Sequence, residues 1–192
     1  MTAHRPLAGS RRTVLRIGLA ALAGWRGQAC GQPAPVRPEA VEAAYLHKLP
    51  GFVEWPAQAF ASPSSPIVVG VAGAPQVLEE LSRIAKGRLV VGRSVEPRAV
   101  DLLADVPHDL HVLFIGPQAA RSGRALVEAA RAHHALVVTD LADGLDAGAA
   151  VAFVHIDGRL RFEVSLGNTR KCGLKLSSQL MGVAWKVTED GE

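Results

Sequence analysis

The 192-residue sequence is poor in cysteine, with two in all. Cys30 lies at the boundary of an N-terminal segment that reads as removable, outside the domain; without it only Cys172 remains, so no intramolecular disulfide framework is expected. Burial is the common fate of such a cysteine, and in an oxidising compartment a bond between chains is the other option. Long hydrophobic runs are missing as well. "IGLAALAGW" (Ile17–Trp25) falls well short of the ~20 apolar residues that span a bilayer, which argues against a retained transmembrane helix. Signatures of chemistry are also absent. There is no G-x-S-x-G nucleophile turn. "GVAGAP" has too few glycines, wrongly spaced, for a dinucleotide fingerprint, and reads as a tight strand-to-helix turn with Pro75 opening the helix. "TDLADGLDAG" lacks the spacing and distal glutamate of a calcium loop. His133-His134 stands at a helix C-terminus with no third ligand at zinc spacing. No acid–base set emerges, and no catalytic residue, metal or cofactor is expected.

What is present begins with charge. The first 29 residues hold Arg5, Arg11, Arg12, Arg16 and Arg26 and no acid. Basic residues, a short apolar run and then small residues are the order of a secretory signal. "SRRTVLR" (Ser10–Arg16) resembles the twin-arginine export motif, although Val14 stands where that motif prefers an aromatic. The general secretory route stays open. Cleavage after Ala29 would leave Cys30 first, but Gly27 occupies the position where a lipidation signal needs an aliphatic residue. A soluble periplasmic product is therefore expected rather than lipid anchoring at Cys30. Without the signal arginines, 16 basic residues face 18 acidic ones, a net charge of −2. No basic stripe is left to hold nucleic acid. The expected organisation is a signal peptide over residues 1–29, a Pro-rich linker over 30–38 and one domain over 39–188.

Periodicity then gives the elements. Val41, Tyr45, Leu49 and Phe52 are spaced as a helix opened by Pro38 and ended by Trp55-Pro56. Within it, Pro50 removes the hydrogen bond to the Leu46 carbonyl and should kink the helix. "IVVGVAG" (Ile67–Gly73) is a β-branched run of the kind covered on both faces of a sheet. Residues 76–86 place Val77, Leu81 and Ile84 on one helical face, with Gly87 as the stop. "RLVVGRSV" reads as one strand, 97–104 as a short helix or turn, "LHVLFIG" as a strand, 118–133 as a helix and "ALVVTD" as a strand. Strands alternating with helices imply crossovers and parallel pairing. "AVAFVHIDGRLRFEVSL" breaks that rhythm with a hairpin about Asp157-Gly158. A final helix over 177–187 starts at a serine cap. The expected fold is α/β: a single domain with a mostly parallel central sheet flanked by helices, and a C-terminal antiparallel hairpin.

In the second hairpin strand Leu160, Phe162, Val164 and Leu166 face one way, and Arg159, Arg161, Glu163 and Ser165 the other. "GNTRKCGLKLSS" follows, with Arg170, Lys171, Lys175 and Ser177, and Ser178 beside the last. Arg161 and Glu163 could form a structural pair that closes the strand against the next helix. Alternatively, Arg161, Glu163, Arg170, Lys171, Lys175 and Ser177 form a site for a partner or small anion, with Ser177 and Ser178 at a helix start.

Four stretches taken together, "AAYLHKLPGFVEWP", "IVVGVAG", "HVLFIG" and "VAFVHIDGRLRFEVSLGNTRKCGLKLSSQLMGVAWKV", resemble the YfiR-type family of periplasmic regulators, across about residues 39 to 187. The F-V-E-W-P turn and the hairpin followed by G-L-K-L-S-S are the most specific parts. The resemblance implies a periplasmic α/β protein, often a homodimer, that is not an enzyme. It implies repression of a membrane-bound diguanylate cyclase through that enzyme's periplasmic region, lowering cyclic di-GMP and biofilm output. It further implies sequestration by an OmpA-like outer-membrane lipoprotein. Two departures stand out: Cys172 has no clear partner for redox control, and Pro50 interrupts a segment the family keeps helical. A periplasmic small-molecule-sensing domain that feeds another membrane receptor is the alternative reading.

Overall fold

Every residue of β2 (Ile67–Ala72) is buried, because its alternate side chains enter two different cores. Val69 and Val71 join Phe114, Leu136 and Phe153 on one face. Val68 and Ala72 join Leu113, Ile115 and Val137 on the other. A strand buried on both sides must be apolar throughout, and that is what the sequence shows. The computed structural model describes residues 37–102 and 105–189. The expected signal peptide, with Arg11, Arg12 and Cys30, lies outside the described residues.

The first core is closed by α1 (Pro38–Lys48) and α2 (Pro75–Ala85), through Ala43 and Leu46 of one and Val77 and Leu81 of the other. The second is closed by α3 (Gly123–Ala132), through Leu126, Val127 and Ala130. The remaining strands are β1 (Val53–Glu54), β3 (Leu89–Val90), β4 (Arg93–Ala99), β5 (Val112–Ile115), β6 (Leu136–Thr139), β7 (Val151–Ile156), β8 (Arg159–Ser165), β9 (Lys175–Leu176) and β10 (Lys186–Thr188). Eight of the strands form one sheet, ordered β10-β8-β7-β6-β5-β2-β4-β3. Its pairs are parallel except β3 with β4 and the β7–β8 hairpin. Asp157 and Gly158, at φ +51° and +70°, make the type I′ turn that the hairpin needs. β1 and β9 form a separate antiparallel pair.

Gly73, at φ +67°, turns the chain from β2 into α2, and a Cβ there would stand 2.3 Å from the Ala119 nitrogen. The residue must be glycine because of that close approach. Gln118 also donates its N–H to the Gly73 carbonyl at 3.1 Å. The turn therefore packs against backbone, as its sequence implies.

Several elements differ from their sequence-based boundaries. The first helix ends at Lys48 and tightens into a 3₁₀ turn over Leu49–Phe52, because Pro50 has no N–H to continue the ladder. Its buried face is set by Glu42, Ala43, Leu46 and Leu49, while Val41 is half-buried. Tyr45 is also half-buried and sets its ring 5.9 Å from both Phe153 and Phe162. "RLVVGRSV" is two strands joined at Val91-Gly92, both at positive φ. Residues 97–99 continue β4 beside β2 instead of forming a helix or turn. Pro97 is tolerated because β3 reaches only Arg93 and Ser94, so no ladder partner lies on its other side. Residues 117–122 are 3₁₀ before α3 begins.

The C-terminal helix is the largest correction. A helix not expected from sequence, α4 (Leu166–Lys171), follows β8 and is capped by Ser165. Ser165 is fully buried, so it does not belong to an exposed polar face. Ser177 does cap a helix, α5, but this spans only Ser178–Val183. The chain then turns extended, and Trp185 donates its N–H to the Phe162 carbonyl at 2.8 Å. β10 follows in parallel register with β8. Gly182 weakens continuation of the helix, and the open edge of β8 offers the backbone a better partner.

Candidate functional site

The F-V-E-W-P turn and the G-L-K-L-S-S stretch meet in space. Val53 stands opposite Leu176 and Glu54 opposite Lys175, and the Ser177 N–H donates to the Phe52 carbonyl at 2.9 Å. This fixes where Trp55 leaves the strand. Its indole N–H donates to the Pro50 carbonyl at 3.3 Å, which ties the end of the strand back to the 3₁₀ turn.

Around Trp55 lies an aromatic cluster. Its ring meets Phe60 and His111 edge-on, with centroids 6.1 and 5.6 Å away. Phe60 stacks on His111 at 4.4 Å. His111 is held from both ends: Val68 donates its N–H to Nδ1 at 3.1 Å, and Nε2 lies 3.0 Å from the Ala59 carbonyl. A ring that accepts at Nδ1 and faces a carbonyl at Nε2 is neutral, with its proton on Nε2. Burial pushes its pKa down accordingly, partly offset by the bond to Ala59. The Arg93 guanidinium lies 3.8 Å from the Phe60 ring centre, a cation–π contact. Arg93 Nη1 donates to the carbonyls of Ser62 and Ser65 at 3.0 and 2.7 Å, drawing in the Ser/Pro loop that carries Phe60. Between the Pro50–Trp55 turn, this loop and the β3–β4 hairpin is a cavity of about 560 Å³.

The polar residues expected to form a site are placed otherwise. Arg161 is exposed and Glu163 half-buried on β8, and no ion pair joins them among the described residues. Glu163 sits in register with Ala152 and Lys186. Arg170 donates to the Glu189 carbonyl at 2.8 Å and approaches its carboxylate at 3.8 Å. Lys171 donates to the Asn168 side chain at 3.3 Å. Lys175 is exposed on β9 opposite Glu54, and the Ser177 hydroxyl accepts from the Leu180 N–H at 3.3 Å as a helix cap. None of them lines the cavity beside Trp55. Conversely, nothing in the local sequence marks Phe60, Arg93 or His111. The crowding of aromatics around Trp55 was the one signal pointing there.

Two further features carry weight. Glu42 of α1 is 6% exposed, and its pKa is pushed up to about 7 by burial, then by Asp140 and Glu39. Burial also raises Asp140, whose Oδ1 has no hydrogen-bond partner among the described residues. At the β10 end of the sheet, Val183, Trp185 and Val187 expose apolar surface beside an open strand edge. Exposed apolar groups at an unpaired edge form a surface suited to another protein.

Comparison with known proteins agrees with this architecture. A family described as YfiR/HmsC-like matches residues 39–185. A solved structure, a conserved domain protein from Vibrio cholerae O1 biovar El Tor, superimposes with a TM-score of 0.57 at 10% identity. The superposition covers 79% of this chain and 60% of that one, and at this identity it speaks to fold alone. No curated protein matches the sequence.

Proposed function

Because the chain belongs to the YfiR/HmsC-like family, whose members are regulators rather than enzymes, we propose that it represses a membrane-bound diguanylate cyclase by direct contact in the periplasm. The observation that carries this reading is the extent of the match, from Glu39 in α1 to Trp185, which takes in every strand of the main sheet except β10 and both helical layers. The arginine-rich N-terminal segment supports export by the twin-arginine route. The apolar edge at Val183, Trp185 and Val187 supports recognition by protein contact. Such a regulator needs no catalytic group. By binding one state of the cyclase better than another, it shifts that enzyme's population toward the less active form. An OmpA-like outer-membrane lipoprotein that takes up the same surface would release the cyclase, and a second copy of the chain could share it.

The test is direct binding. The purified, processed protein should form a complex with the periplasmic region of a membrane-bound diguanylate cyclase from the same cell. Trp185→Glu should weaken that complex without unfolding the chain. A folded protein that forms no complex with that region would contradict the reading.

A further inference from the structure

We propose that the cavity between the Pro50–Trp55 turn and the β3–β4 hairpin binds a small organic anion: a carboxylate carried on a planar apolar body. Its volume of about 560 Å³ is that of a small-molecule site. Trp55, Phe60 and Val91 supply apolar and aromatic wall, and Arg93 supplies the one charged side chain among the lining residues.

Arg93 is the central observation. Its Nη1 is committed to the Ser62 and Ser65 carbonyls, and its guanidinium carbon lies 3.8 Å from the Phe60 ring centre. Nε and Nη2 have no acceptor among the described residues, and no carboxylate pairs with the charge. A guanidinium already locked in orientation, with two donor positions unused, can take a carboxylate in a fork without losing further side-chain freedom. Such a group beside stacked rings suits neither a bare anion nor a neutral hydrophobe.

Val91 adds an independent observation. It sits at φ +49°, in the left-handed region, and is 76% exposed. A β-branched residue there is strained by roughly 1–3 kcal/mol, and asparagine or glycine would suit the type I′ turn better. The strain is spent where an apolar side chain walls the cavity. The wall is also pre-formed: a Cβ at Gly51 would come within 3.3 Å of Val90 and 3.5 Å of Val91, so turn and hairpin are already close-packed.

The experiment is calorimetric titration of the purified, processed protein with 2-naphthoate, its neutral amide and inorganic phosphate. Saturable naphthoate binding is expected with a Kd below ~1 mM, with the amide and phosphate at least roughly tenfold weaker. Arg93→Gln should weaken naphthoate binding by roughly tenfold or more. Val91→Asn should weaken it too, while leaving the melting temperature unchanged or raised, which a purely structural role would not produce. The comparison of acid with amide needs no variant and stands if Arg93→Gln fails to fold. Absence of saturable binding, equal binding of the amide, or equal binding of phosphate would each overturn the proposal. Ligand binding is read on the isolated protein and cyclase control in cells, so either can fail without the other.

Discussion

The backbone N–H of Ser177 donates to the carbonyl of Phe52 at 2.9 Å, joining the two stretches that most distinguish this sequence into one piece of structure. Leu176, buried opposite Val53, is its apolar anchor. Leu176→Ala should destabilise the protein by about 2–4 kcal/mol, read from urea unfolding. Lys175→Ala, at the exposed neighbouring position, should stay within about 0.5 kcal/mol of the parent. Equal effects of the two changes would mean that the strand pair contributes little.

Asn168 holds the loop before β7. Its side-chain amide donates to the carbonyls of Leu145 and Ala149 at 2.8 and 3.0 Å, and the residue is 2% exposed. Asn168→Asp removes both donors and sets a carboxylate against two carbonyl oxygens. A loss of at least about 3 kcal/mol is expected from chemical denaturation. A loss below about 1 kcal/mol would contradict this account of the loop.

Glu42 gives a pH dependence with a definite sign. Its folded pKa, about 7, lies above the ordinary 4.5, so folding favours the protonated form. The fold bears no penalty from this group below about pH 4.5, and loses stability as pH rises through 7. Glu42→Gln should therefore raise the melting temperature at pH 8, by a stabilisation of at most about 3 kcal/mol, and change little at pH 4. A gain that is the same at both pH values would rule out titration of Glu42 as its source.

Cys172 is fully buried, and burial pushes its thiol up to about 11. In a Cys30→Ser background it should resist a thiol-reactive dye at pH 8 in the folded protein and react once guanidinium unfolds the chain. Rapid labelling of the native protein would show that the α4 region opens.

How far the sequence carried the fold follows from the length of each signal. β2, β5 and β6 are buried at every position because both faces are covered, and all but Thr139 of β6 are apolar or glycine; Asp157-Gly158 marks its hairpin on its own. β1 and β9 are each two residues long, too short to show a period, and each exists as a strand because the other does. β10 was hidden because Lys186–Thr188 is a strand only by virtue of the open β8 edge. The site was less legible than the fold. Arg161, Glu163, Arg170, Lys171, Lys175 and Ser177 stood out by charge or cap chemistry along one stretch of chain, yet Arg170 reaches Glu189 and Lys171 reaches Asn168. Arg93 showed nothing locally. Its character comes from Phe60, Ser62 and Ser65, which the Ser/Pro loop brings to it.

The central claim, repression of a diguanylate cyclase, is tested most directly by measuring cellular cyclic di-GMP after deletion of the coding sequence and after its restoration. Cyclic di-GMP and surface attachment are predicted to rise on deletion and to return to parental levels on restoration. Levels that stay unchanged across several growth conditions would contradict the claim.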